Sequence, residues 1–156
     1  MVDYFNLKTT CCFTGHRVLK KDFNEYRLKE VIEGVISKGY VTFLIGMAKG
    51  FDLKCFETLL EYKRKNKNIE IIACVPCENQ QEGYNLIEKQ IYNNCLEKAD
   101  KIITLNKEYF NGCMQQRNRF MVDNSSIIIA YMYAERGGTL YTVNYAKKKS
   151  KEIIYI

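Results

Sequence analysis

Residues 112–146 read GCMQQRNRFMVDNSSIIIAYMYAERGGTLYTVNYA. The pattern is a short helix carrying Arg117 and Arg119, an apolar strand over 126–132, the pair Gly137-Gly138, and a second helix beginning near Thr139. Glycines let backbone come close to a ligand, and a helix start offers unpaired N–H groups and a positive dipole end to an anion. Gly137, Gly138 and Thr139 are therefore expected to bind a phosphate, with Arg117 closing over it. Two residues apart on a helix, Arg117 and Arg119 lie about 200° apart around its axis, so only one can face that ligand. Arg119 precedes Asp123 by four residues, a spacing that suits a surface ion pair. Arg117 is left as the ligand residue, with Asn118 and Gln116 as lesser helpers.

The rest of the chain repeats this alternation. Strands are expected at 9–14, 40–45, 69–75, 101–105 and 152–156. Between the first two, Leu28, Val31, Ile32, Val35 and Ile36 recur at helical spacing until Gly39. A second helix over 52–65 puts Leu53, Phe56 and Leu60 on one face, and a third over 81–97 puts Tyr84, Ile87, Ile91 and Cys95 on one side. Short apolar runs alternating with helices mark an α/β protein with a parallel sheet covered by helices. No repeat, linker or composition shift divides the 156 residues, so one domain over 1–156 is expected.

With 47% apolar and 27% charged residues and one proline, the composition is that of an ordinary globular chain. No apolar run approaches the roughly 18 residues of a membrane span, so no membrane partner is expected. The opening MVDYFNLKTT lacks a leader's charged start and long apolar centre, so a cytoplasmic location is expected. The net charge is +6, but the lysines are dispersed from Lys20 and Lys21 to the 147–151 tail, as on solvated helix faces. Nucleic acid is accordingly not the expected partner, and an anionic small molecule suits the charge equally well. Seven cysteines without a leader read as reduced core thiols. Cys74 and Cys77 form a C-x-x-C, but thioredoxin-like context is missing. With His16 the one histidine and no second C-x-x-C, no metal is expected.

In a parallel sheet every loop that follows a strand opens on the same edge, where ligands bind. Three glycine-bearing loops crowd there: Thr14 to Arg17 after the first strand, Gly46 to Asp52 after the second, and Glu135 to Thr139 after the fifth. Next to Gly15, Arg17 could pair with a phosphate and His16 could stack on or hydrogen-bond a base or ribose. Gly46 and Gly50 could cradle a phosphate while Asp52 accepts from ribose hydroxyls; equally, Asp52 could cap its helix. Lys49 precedes the second glycine, so this is not a P-loop, and no G-x-G-x-x-G is present. Tyr109 and Phe110 are the aromatics that could reach the same edge. No nucleophile elbow or triad spacing is found, so a binding site is more legible than a reaction, and no cofactor is expected.

The order Thr14-Gly15-His16-Arg17, Gly46-x-Ala48-x-Gly50-x-Asp52, Pro76-x-x-x-Gln80, Gly112-Cys113-Met114-x-x-Arg117-Asn118-x-x-Met121-Val122-Asp123 and Gly137-Gly138-Thr139 resembles the YpsA-like branch of the SLOG superfamily. Other branches are the LOG-type nucleoside monophosphate phosphoribohydrolases and the DNA-processing protein A of competence. The resemblance implies a Rossmann-like three-layer sandwich, strand order 3-2-1-4-5 plus an edge strand, a homo-oligomer, and a pocket for a nucleotide or ADP-ribose-type ligand. Arg117 and Met121 match the LOG-type R-K-x-x-M helix, and Gly137, Gly138 and Thr139 resemble a shortened P-G-G-x-G-T phosphate loop. Leu140, Tyr141 and Thr142 stand where hydrolytic members carry a glutamate. A module that senses or sequesters a nucleotide-derived ligand is therefore the leading expectation. The alternatives are an N-glycosidase using Asp52 or Glu135 on nucleoside monophosphates, and a single-stranded nucleic-acid binder.

Overall fold

The computed structural model describes residues 5–156; residues 1–4, part of the opening stretch read for a leader, lie outside it. The element order is β1 (Thr10–Gly15), α1 (Glu25–Ser37), β2 (Thr42–Ile45), α2 (Phe51–Lys65), β3 (Glu70–Val75), α3 (Leu86–Lys98), β4 (Lys101–Thr104), α4 (Cys113–Asp123), β5 (Ile127–Tyr131), α5 (Gly137–Lys148) and β6 (Glu152–Tyr155). Six strands form one sheet in the order β4-β3-β2-β1-β5-β6, and every neighbouring pair is parallel. With β4 as the added edge strand, the other five follow the expected 3-2-1-4-5 order. Among the described residues no helix is long and apolar enough to cross a membrane.

Alternate residues of each strand face opposite layers. Cys11, Phe13, Phe43, Ile45, Ile71, Ile127 and Ile129 pack with Leu28 and Ile32 of α1, Phe51 and Phe56 of α2, and Cys95 of α3. Cys12, Leu44, Ile72, Cys74 and Ile128 pack with Met121 and Val122 of α4 and Ala146 of α5. This division follows from handedness: right-handed crossovers keep α1, α2 and α3 on one face while the chain steps from β1 outward to β4. The return from β4 to β5 reverses direction, so α4 and α5 fall on the other face. Each fully buried phenylalanine or isoleucine contributes roughly 1.5–3 kcal/mol, so this alternation holds the three layers together.

One helical face differs from expectation. The helix expected over 81–97 breaks into a 3-10 turn at Gln80–Gly83 and α3. Asn85 and Glu88 form a reciprocal capping box, which fixes the start of α3 at Leu86. Tyr84 thus falls outside the helix, Ile87 in its first turn is 70% exposed, and Tyr92 takes the buried place at 2%.

Candidate functional site

The chain steps away from β1 in opposite directions through β2 and β5, so the sheet's switch point lies between β1 and β5. A cavity of about 320 Å³ opens at that point on the edge where strands end. Gly15, His16 and Arg17 border it after β1, and Ala48 and Asp52 after β2. Met114, Arg117 and Asn118 come from α4, and Arg136, Gly137, Gly138 and Thr139 from the start of α5.

The helix starts around the cavity differ from those elsewhere. α1 and α3 begin with asparagine caps, Asn24 and Asn85, whose side chains accept backbone N–H groups. α2, α4 and α5 begin at Gly50, Gly112 and Arg136 with no side-chain cap. Each of these three uncapped helices sends a first-turn residue to the cavity wall: Asp52, Met114 and Thr139. Their dipoles favour negative charge there. At α5 the turn is opened by Gly137, whose φ of 68° is costly for residues with a Cβ. Gly138 and Thr139 follow it, and the first backbone N–H of α5 to find an internal acceptor is that of Leu140, on the carbonyl of Arg136.

Arg117 lies beneath this loop as floor, rather than closing over it from above. It is 4% exposed. Nη1 donates to the carbonyl of Gly46 and, at 3.3 Å, to that of Cys74; Nε donates to Asn118 Oδ1 at 2.8 Å. Nη2 meets Met114 Sδ at 3.9 Å, so it is the guanidinium nitrogen least committed to protein. The helix packs its apolar Met121 and Val122 into the core one turn on, which draws Arg117 under the sheet edge. Burial pulls its pKa down, while the Asp52 carboxylate supports its charge.

Asp52 is 5% exposed, and its two oxygens differ. Oδ2 accepts from the backbone N–H of Ala48 at 3.2 Å, whereas Oδ1 is buried without a partner. The cap of α2 is Gly50, so the reading of Asp52 as the helix cap is corrected: two positions further in, its side chain braces the preceding loop. Burial raises its pKa to about 6 against the opposing effects of Arg117, the Ala48 N–H and Arg17.

His16 is held by the far side of the cavity. Its Nε2 lies 3.1 Å from the carbonyl of Ala134 and 3.3 Å from the Ala134 N–H. Its ring sits against Tyr133 with centroids 4.3 Å apart. Burial, with Arg136 and Lys20 nearby, lowers its pKa. His16 thus ties the loop after β1 to the loop that leads into α5.

Of the eleven residues named from sequence, nine border the cavity, and Gly46 and Gly50 do not. Both glycines are explained by close approach within the protein. A Cβ on Gly46 would lie 2.8 Å from the Arg117 guanidinium carbon, and one on Gly50 would strike the Arg17 carbonyl. Gly46 still serves the site, since its carbonyl accepts from both Arg117 and Gln80 Nε2. Tyr84 then donates to the carbonyl of Met47 at 3.0 Å, and Met47 has a φ of 63°, a conformation that needs such restraint. The expected Arg119–Asp123 pair is replaced by two links to α5: Arg119 donates to Tyr141 and Asp123 accepts from Tyr145. Tyr109 and Phe110 are 58% and 45% exposed and lie outside the cavity wall. Of the carboxylates considered for glycosidic cleavage, Asp52 borders the cavity and Glu135 does not. All seven cysteines are buried free thiols.

Sequence reasoning quoted Ala48, Met114 and Gln80 within motifs and set Tyr84 on a helix face, but named none of them, nor Arg136, as a site residue. Met114 was within reach, since it stands three residues before Arg117 on the same helix. Arg136 directly precedes the glycine pair. The contacts of Gln80 and Tyr84 cross between loops after different strands and leave no local signal.

Curated relatives include the uncharacterized SPbeta prophage-derived protein YoqJ of Bacillus subtilis, 30% identical over 135 residues, which cover 78% of this chain and 79% of that protein. The UPF0398 protein BH1768 of Halalkalibacterium halodurans is 26% identical over 90% of this chain and 74% of its own length. Among solved structures, DNA processing protein A of Streptococcus pneumoniae superposes with a TM-score of 0.70 at 17% identity, over 94% of this chain and 49% of that one. DNA processing protein A of Helicobacter pylori, described for its unique single-stranded DNA binding mode, gives 0.69 at 17% identity, over 96% of this chain and 65% of that one. This chain therefore spans about half to two thirds of those proteins, and the likeness is one of fold.

That solved structure of the same fold, described as binding single-stranded DNA, overturns the expectation that scattered charge makes nucleic acid an unlikely partner of this chain. The expectation rested on scattered lysines. Single strands are held by a local positively charged groove with aromatic stacking surfaces, which the overall spread of lysines does not register. A family sequence model matches residues 13–156, nearly the whole chain, and by that match the protein belongs to the YspA SLOG family.

Proposed function

We propose that this protein binds the phosphate-bearing end of a nucleotide-derived ligand, such as a nucleoside monophosphate or an ADP-ribose-type molecule, at the β1–β5 switch point. One observation carries the reading: the uncapped start of α5, with Gly137 and Gly138, borders the same cavity whose floor is the buried Arg117. Backbone amides, a helix dipole and a guanidinium then act on one anion in a partly desolvated site. A volume of about 320 Å³ sits at the small end of ligand pockets, enough for a sugar phosphate with its base reaching the mouth. Isothermal titration calorimetry with adenosine monophosphate, ADP-ribose, NAD and inorganic phosphate tests the reading. Saturable binding abolished or weakened by Arg117→Met is expected; absence of heat with all four would overturn it.

A second reading is favoured by the fold shared with the Helicobacter pylori protein: the phosphate held at α5 belongs to a single strand. Arg17 and Arg136, both exposed at the cavity mouth, supply cations to neighbouring phosphates. An oligothymidylate that binds at 50 mM salt, and competes with adenosine monophosphate, is the result this reading requires.

A further inference from the structure

Among the described residues, Asp52 Oδ1 is a buried side-chain oxygen of a cavity-lining residue that has no hydrogen-bond donor. The other carboxylate oxygen is engaged by Ala48 N–H, and no Lys or Arg forms an ion pair with Asp52 among the described residues. A buried carboxylate oxygen without a donor is unstable by more than an ordinary polar atom. A donor seated against Asp52 from the cavity side would complete it. A phosphate cannot, because it is itself an anion with acceptor oxygens. Around the same cavity, the α5 amides and Arg117 offer donors and positive charge. The lining thus offers two kinds of contact: donors that receive an anion, and an acceptor that receives a neutral hydrogen-bond donor close to it.

Resting on the phosphate-binding reading above, we infer that Asp52 is the specificity-determining residue that accepts a hydrogen bond from a ribose hydroxyl of a 5′-phosphorylated ribonucleotide. A 5′-phosphate and the hydroxyls of its own ribose carry these two properties within one small ring-bearing unit, in keeping with a cavity of about 320 Å³. The deoxy analogue leaves Oδ1 without its donor while keeping every phosphate contact. A site built to hydrogen-bond a hydroxyl rejects such analogues far more strongly than an apolar pocket does. A hydroxyl on the sugar is also the chemical group by which a protein separates ribo- from deoxyribonucleotides.

The test compares adenosine monophosphate with its 2′-deoxy and 3′-deoxy analogues by calorimetry at pH 7.5, with inorganic phosphate as a further ligand. Loss of a hydrogen bond to a charged acceptor corresponds to about ten- to a hundredfold in affinity, and that deficit is expected for at least one deoxy analogue. The same ligands are then titrated into Asp52→Asn, after thermal melting shows it folded, and the preference is expected to fall below about threefold. Equal affinity of wild type for all three nucleotides overturns the inference, and this arm requires no variant. A preference that persists undiminished in Asp52→Asn also overturns it, as does discrimination between bases with none between sugars. Phosphate and nucleotides binding without sugar discrimination sinks the inference alone. Failure of phosphate and every nucleotide to bind sinks the phosphate site beneath it.

Discussion

Nη1 of Arg117 donates to the backbone carbonyl of Gly46, joining the middle of one helix to a loop 71 residues earlier. The same carbonyl accepts from Gln80 Nε2 at 2.9 Å, so three separate crossovers meet at one oxygen. Breaking a buried charged group away from its partners costs about 3–5 kcal/mol. Arg117→Met removes the donors while keeping a long apolar side chain, and should lower unfolding free energy by about 3 kcal/mol. Urea denaturation measures this, and a loss below about 1 kcal/mol would mean the floor of the cavity does not depend on the guanidinium.

Three glycines near the cavity should answer alanine differently. At Gly46 the new Cβ falls 2.8–2.9 Å from guanidinium atoms already held by hydrogen bonds, so Gly46→Ala should cost about 2 kcal/mol. Gly137 carries a φ of 68°, and Gly137→Ala should cost about 1 kcal/mol with no clash. Gly138 has ordinary helical backbone, and the nearest atom to its Cβ is Asn118 Nδ2 at 3.9 Å. Gly138→Ala should therefore gain about 0.5 kcal/mol in stability while narrowing the anion site. Thermal melts paired with phosphate titration would separate these effects; a Gly138→Ala protein that is both less stable and equally good at binding contradicts the assignment.

The layered fold was legible because it is written locally. Strand residues such as Cys11, Cys12 and Phe13 are apolar on both faces, as a central parallel strand must be, and Leu28, Val31 and Ile32 repeat at helical spacing. The bordering residues Gly15 to Arg17 and Gly137 to Thr139 were legible for a related reason, since Gly15 ends β1 and Gly137 opens the helix that follows β5. Illegible were relationships made by docking. Nothing near Gly46 in the sequence announces Arg117, and nothing near Asp52 shows that Gly50 alone opens its helix. Ile87 was placed on a buried face because its period fits, but the Asn85–Glu88 capping box starts α3 where the first turn overhangs the core.

His16 offers a test of how firmly the α5 loop must be held. Its Nε2 contact with Ala134 spans 118 residues and links the loops on either side of the cavity. His16→Phe keeps a ring against Tyr133 and loses the polar contact, worth about 1 kcal/mol of stability. Phosphate affinity should fall about fivefold, because the Arg136–Thr139 turn loses its tether. Unchanged affinity, measured by calorimetry, would show that Tyr133 packing alone fixes the turn.

Asp52 should leave its mark on the pH dependence of stability. Its pKa is raised by burial from 3.8 to about 6 in the folded protein, so the folded state binds this proton more tightly than the unfolded chain does. The resulting stability is present in full below 3.8 and is lost as pH rises through about 6. A rise of that size corresponds to about 3 kcal/mol. Burial lowers the pKa of His16, and its contribution runs the opposite way, falling as pH falls. The two are separated by comparing wild type with Asp52→Asn, in which His16 is retained. Between pH 4 and pH 7.5 the unfolding free energy of wild type should drop relative to Asp52→Asn by about 2–3 kcal/mol in urea titrations. Parallel pH profiles for the two proteins would mean that the carboxylate keeps an ordinary pKa, and that its inner oxygen already has a donor.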